Sequence, residues 1–321
     1  MKKPDSIMVA TDMSECAKMA ENRAAMLCAQ LRKNRLDIVN VQDLSAIELL
    51  KRALKSSAET AEKAVRQGLS DELSGVIRRL ENTYGVQCES LIRFGKAATE
   101  IAREIIERQT GLLVMGAHGN TPHSHAFLGN LPSKLLQISP CPLLVVRTEP
   151  KQAYRKIMIA VDFSEISLYQ ARQALALAAP DAEILVLHAY EVPNEGMMRY
   201  ANVSQGLLHE FRSDIRLKAG AEMQAFIAAL KTSRQVTSSV QLGVPHTVIR
   251  EHAASKKPDL LVMGKQGRSR FEEFLLGSTS RNTLYETDCD ILIVPPTAVN
   301  REMQEAEKAG KDRKMRDALP S

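Results

Sequence analysis

The strongest constraint on the fold is that the chain repeats itself. IMVATDMSE at residues 7–15 returns as IMIAVDFSE at residues 157–165, and LLVMG at residues 112–116 returns letter for letter at residues 260–264. The copies also close alike, CPLLVV at residues 141–146 answering CDILIV at residues 289–294. A spacing held near one domain length over three separate matches means duplication of a whole folding unit. The 321 residues agree with two units of roughly 150 each. The copies are assigned to residues 1–148 and 154–297, with a short polar tether between them. Residues 298–321 read as a charged, flexible tail, poor in large apolar side chains.

Each copy alternates aliphatic runs with amphipathic stretches. The runs at residues 6–11, 37–41, 87–92, 112–116 and 143–147 predict strands buried on both faces. Their counterparts are residues 156–161, 183–188, 236–241, 259–263 and 290–294. Helices are predicted over residues 15–32, 46–82 and 97–109, and over 166–179, 204–231 and 246–256. This alternation predicts an α/β fold of two tandem, doubly wound, five-stranded parallel-sheet domains of Rossmann-like type.

Composition narrows the function classes. A net charge of +5 is mild for this length, and no basic run is interleaved with aromatics, so nothing points to nucleic acid. No run approaches the roughly 20 apolar residues of a membrane span. Polar residues Asp5, Ser6, Asp12 and Ser14 interrupt any signal-peptide core, and a cytoplasmic location is expected. Five scattered cysteines without a CxxC pair read as small buried thiols. Aromatics are only 4% of the chain, so the cores must be aliphatic.

The chemistry lies in glycines after the fourth strand of the second copy. Gly264 and Gly267 are followed, after nine residues, by Gly277, Ser278, Thr279 and Ser280. Glycines at a strand end allow tight turns and close ligand approach. In an open α/β sheet that end is where ligands settle. A helix opening at Gly277-Ser278 would offer free N–H groups and its positive dipole end to an anion.

This G-x2-G-x9-G-[S/T] pattern, with Asp162 ending the first strand, Leu187-His188-Ala189 ending the second and Gly243-Val244-Pro245 opening the third helix, resembles the universal stress protein family. The resemblance spans nearly the whole chain, twice, and implies an adenine nucleotide alpha hydrolase-like fold holding ATP, with or without Mg2+. It implies that Asp162 and the backbone at Ala189 face adenine. Gly264 and Gly267 would follow ribose and phosphates, while Gly277, Ser278, Thr279 and Ser280 would hold the phosphate tail. In the family single domains pair, so the two copies are expected to pack as an internal pseudo-dimer, with a further homodimer open.

The first copy departs from the pattern. Its equivalents are Asp12, Val41, Gly116, Gly119, Gly129 and Asn130, but Asn130 replaces the hydroxyl residue and Pro132 stands at the Ser280 position. One hydroxyl and one backbone donor are lost, which weakens phosphate binding by about 1–3 kcal/mol if both faced the anion. The second copy is therefore the expected ATP site. His118, His123 and His125 share the first-copy loop and could ligate zinc, but loop-filling histidines are the favoured reading and no metal site is assigned. His188 reads as a satisfied histidine at a strand end. No Walker lysine, nucleophile elbow or HExxH motif occurs. The expectation is a stress-response nucleotide sensor or regulator with unknown protein partners and, at most, slow ATP hydrolysis. The alternatives are a slow ATPase or self-phosphorylating protein acting through Ser278 or Ser280, and a module whose first domain binds a metal or a lipid-like ligand.

Overall fold

A computed structural model describes residues 4, 6–33, 35–54, 58–119, 129–265 and 277–298. The first half runs β1 (Ile7–Ala10), α1 (Glu15–Gln30), β2 (Arg35–Gln42), α2 (Leu44–Leu54), α3 (Ala58–Tyr84), β3 (Gln87–Phe94), α4 (Ala97–Glu107), β4 (Leu112–Gly116), α5 (Asn130–Ile138) and β5 (Leu143–Val146). The second half runs β6 (Tyr154–Ala160), α6 (Glu165–Leu177), β7 (Ala178–Tyr190), α7 (Glu195–Tyr200), α8 (Gln205–Leu230), β8 (Val236–Leu242), α9 (Pro245–Lys256), β9 (Leu260–Gly264), α10 (Ser278–Glu286) and β10 (Asp290–Val294).

The strands form one sheet in the order β3-β2-β1-β4-β5-β10-β9-β6-β7-β8. Strand pairing is parallel within each half, and the halves meet where β10 pairs antiparallel with β5, Leu292 opposite Leu144. Both faces are covered, so β1, β4, β5 and β10 are buried along their whole length without polar alternation. Successive side chains of β1 serve different layers. Ile7 and Val9 pack with α1, α3, α6 and α8 residues such as Leu27, Leu73, Ala171 and Phe226. Met8 and Ala10 pack on the opposite face with Ile101, Leu135, Val248 and Leu284 of α4, α5, α9 and α10. In each half the chain order reverses between the first and fourth strands, β1/β4 and β6/β9, which opens a crevice at their C-terminal ends.

The sequence expectation differs from the structure at four places. The outermost strands β3 and β8, expected to be buried on both faces, are mostly partly buried or exposed, because each forms an edge of the sheet. The helical stretch expected over residues 46–82 is two helices, α2 and α3. The helix expected to reach residue 179 stops at Leu177, because Ala178 is extended and pairs with Tyr154. Pro180 follows closely and disfavours helical backbone in the residue before it. The short α7 was not anticipated. The tail from residue 299 lies outside the described residues.

The seam between halves is polar where it is most enclosed. Asp290 is fully buried and accepts hydrogen bonds from Tyr154 Oη (2.7 Å), Arg147 N (2.9 Å), Thr148 N (3.2 Å) and Thr148 Oγ1 (3.1 Å). Arg23 of α1 lies with Nε 3.4 Å from Asp290 and its guanidinium 4.0 Å from the Tyr154 ring centroid. Each half also caps the last helix of the other with a cation. Lys265 Nζ donates to the Gln137 carbonyl at the end of α5 (2.7 Å), and Arg147 donates to the Leu284 carbonyl in α10. These carbonyls lack intrahelical donors, and positive charge suits that end of a helix.

Candidate functional site

The turn after the first strand is built the same way in both halves. Ser14 and Ser164 cap α1 and α6, accepting from Ala17 N (3.1 Å) and Ser167 N (3.3 Å). Asp12 Oδ1 and Asp162 Oδ1 each accept from the amide of their serine at 3.1 Å. The residues between, Met13 and Phe163, adopt positive φ of 64° and 62°, a conformation non-glycine residues take at some cost and which recurs at ligand sites. Asn40 Nδ2 donates to the Thr11 carbonyl at 2.9 Å, and His188 Nδ1 lies 2.8 Å from the Val161 carbonyl, so equivalent side chains clasp both strand ends. The His188 ring also packs on Phe163, with centroids 4.2 Å apart.

Asp162 is held more firmly than the sequence indicates. Its Oδ1 also accepts from the Ser164 and Ser167 hydroxyls, at 2.6 Å and 2.5 Å. Its Oδ2 is buried with no hydrogen-bond partner among the described residues. A buried carboxylate oxygen without a donor is costly, and a ligand donor placed there would remove the cost. Ser167 was not singled out from sequence, although the spacing D-x-S-x-x-S carries it. The first half has Ala17 at the equivalent position.

In the first half the predicted residues converge. Asp12, Val41, Gly116, Gly119, Gly129 and Asn130 line one cleft of about 380 Å³, with Thr11, Ile101, Met115 and Pro132 completing its wall. Its glycines have packing reasons of their own. A Cβ on Gly116 would stand 2.7 Å from the Cys16 carbonyl oxygen, so glycine there lets α1 approach β4. A Cβ on Gly119 would stand 2.5 Å from Asp12 Oδ2. His118 lines the same cleft, while His123 and His125 lie outside the described residues. Among the described residues no group of three or more His, Cys, Asp or Glu side chains could hold a metal.

In the second half Gly264 ends β9 and Gly277 caps α10, its amide donating to the Lys265 carbonyl (3.1 Å) as Gly129 donates to Ala117 (2.8 Å). Ala189 sits near the end of β7, partly buried against the α9 layer. Gly267 lies outside the described residues. Ser278, Thr279 and Ser280 form the first turn of α10, where backbone N–H groups have no intrahelical acceptor. The first turn of α5 has Asn130, Leu131 and Pro132, hence one donor fewer. The Ser280 side chain is buried and donates to the Gly264 carbonyl (2.8 Å), which pins helix to strand and leaves its hydroxyl proton engaged. Lys265, between the glycines, is buried and turned toward α5; burial pushes its pKa down.

Among the described residues no helix is long and apolar enough to cross a membrane. A doubly wound sheet, duplicated and fused at one edge, with the strand order reversing inside each half, defines a tandem Rossmann-like α/β protein. The Universal stress protein family matches residues 4–147 and 153–295, and the chain belongs to it. A universal stress protein of Methanocaldococcus jannaschii is 32% identical over 143 residues, 44% of this chain and 82% of its own. Universal stress protein E of Salmonella typhi is 24% identical over 247 residues, 73% of this chain and 77% of its own. The crystal structure of a universal stress protein from Archaeoglobus fulgidus shares the fold, with a TM-score of 0.65 at 15% identity, covering 91% of this chain and 98% of that one.

Proposed function

We propose that this chain is a stress-response protein that binds an adenine nucleotide, ATP, chiefly in the crevice of its second half, and acts through the bound and free populations instead of rapid turnover. The observation that carries the reading is the buried Oδ2 of Asp162 just after β6, which has no hydrogen-bond partner among the described residues. An exocyclic amine such as that of adenine supplies the missing donor. The amides of Ser278, Thr279 and Ser280 at the start of α10 suit the phosphates. Mg2+, when present, arrives with the triphosphate. The first half keeps the cleft around Asp12 and Gly129, but Pro132 removes a donor, and phosphate affinity there is lower. Binding shifts partners by favouring one population of the protein.

Calorimetric titration of ATP into the intact protein tests this. Gly277→Val, which adds a branched side chain at the mouth of α10, should abolish the dominant binding event. Gly129→Val should leave it largely intact. The reverse result would move the site to the first half, and no heat in the wild type would end the nucleotide reading.

A further inference from the structure

The two halves differ on the α4/α9 side of their outer strands, and duplication makes the difference readable. Strand register and the repeat align Asp37, Glu89, Arg93, Glu104 and Arg108 of the first half with Leu185, Thr237, Gln241, His252 and Lys256 of the second. In the first half this space is filled by ion pairs. Arg108 contacts Glu89 (3.0 Å), Asp37 (3.3 Å) and Glu104 (3.4 Å), Arg93 contacts Glu104, and Arg35 contacts Glu89 (2.8 Å) and Asp37 (3.0 Å).

In the second half all three acids are gone from these positions, and the space is an open groove of about 550 Å³. That volume is in the range of small-molecule sites. Its floor is apolar, from Met158, Leu185 and the buried Pro258. Lys156, His252 and Lys256 line its rim, and neither lysine has an ion-pair partner among the described residues. His252 spends Nδ1 on the Val248 carbonyl (2.9 Å), which leaves Nε2 for the groove. Thr237, Ser239 and Gln241 of β8 lie along the outer side, with Gln241 Nε2 donating to Ser239 Oγ (2.8 Å). One acid, Glu183, stands where the first half has Arg35. Two lysines and an imidazole against one carboxylate leave a net positive rim over an apolar floor.

We propose that this groove is a second ligand site, for a small organic anion such as a phosphate ester or polycarboxylate whose carbon skeleton lies on Leu185 and Met158 and whose charge meets Lys156 and Lys256. It is separate from the strand-end crevice and does not depend on nucleotide binding there. The first half lacks it because Arg108 and its acids occupy the same volume.

Amide and imidazole NMR shifts of the full chain, at constant ionic strength, test the site with three probes. Fructose 1,6-bisphosphate represents phosphate esters, citrate represents polycarboxylates, and fructose is the uncharged control. One or both anions should give saturable shifts at His252 and residues 237–241, and fructose none. Lys156→Glu/Lys256→Glu, two exposed changes, should weaken binding about tenfold or more. Thr237→Glu, which restores one first-half acid, should weaken it similarly by a different route. The proposal is overturned if neither anion gives saturable shifts, if residues 89–93 respond equally, or if the shifts survive both variants.

Discussion

At the residue scale the thiols are the simplest test of the environment described. Cys28 is buried, and burial pushes its thiol up to about 11; Cys88 and Cys289 are pushed up to about 12, again chiefly by burial. The thiolate is the reactive form, so at pH 8 roughly a thousandth or less of each is nucleophilic. We expect native protein treated with a disulfide reagent at pH 8 to leave Cys28, Cys88 and Cys289 unmodified by peptide mapping, while guanidinium exposes all five thiols. Modification of Cys289 in the folded protein would contradict the packing at the start of β10. The sequence reading of buried thiols holds for Cys28 and Cys141, while Cys16, Cys88 and Cys289 are only partly buried; the placement of Asp162 and Gly277 at a strand end and a helix start holds. The reason is that both follow from local spacing. What local spacing cannot give is a partner's position. The Ser280 hydroxyl donates to the Gly264 carbonyl, and Lys265 finds its acceptor at Gln137 in the other half, neither of which local spacing shows.

At the element scale the copies share a framework but not a chemistry. α4 and α9 enter after glycines of nearly equal φ, Gly95 at 148° and Gly243 at 147°, and both bury isoleucine against the sheet. Their outward turns have diverged. Glu104 is 1% exposed and engages Arg93 and Arg108, whereas His252 is half-buried and its ring, among the described residues, bonds its own helix. Glu104→Ala should cost about 2 kcal/mol in urea unfolding, since it takes the carboxylate from Arg93 and one of three from Arg108. His252→Ala should cost under about 1 kcal/mol. Equal losses at the two positions would mean that the aligned helices do the same work. The central strands were legible because a run buried on both faces needs aliphatic residues throughout. The early start of β7 was not legible, because Ala178 is extended only through its pairing with Tyr154.

At the scale of the molecule, the seam decides whether the halves behave as one body. Its central group is Tyr154, fully buried, donating to Asp290 of its own half, while Arg23 of the first half lies against both. Burial first, and the Asp290 carboxylate second, raise its pKa well above the ordinary tyrosine value of 10.0. The folded protein therefore keeps this proton where the unfolded chain releases it. The stability it contributes is complete below the unfolded value and is lost as pH rises past it, at up to about 1.4 kcal/mol per pH unit. Tyr154→Phe removes both the hydrogen bond and the titration. At neutral pH the variant should be less stable by about 1.5–3 kcal/mol, the range for a hydrogen bond to a charged acceptor. Between about pH 9 and pH 11 the difference should shrink, because only the wild type loses this contribution. Other groups titrating in that range are common to both proteins and cancel in the comparison. Urea unfolding of the two proteins across the range gives the answer: converging stabilities place the phenol proton in the seam, and parallel ones remove it from there.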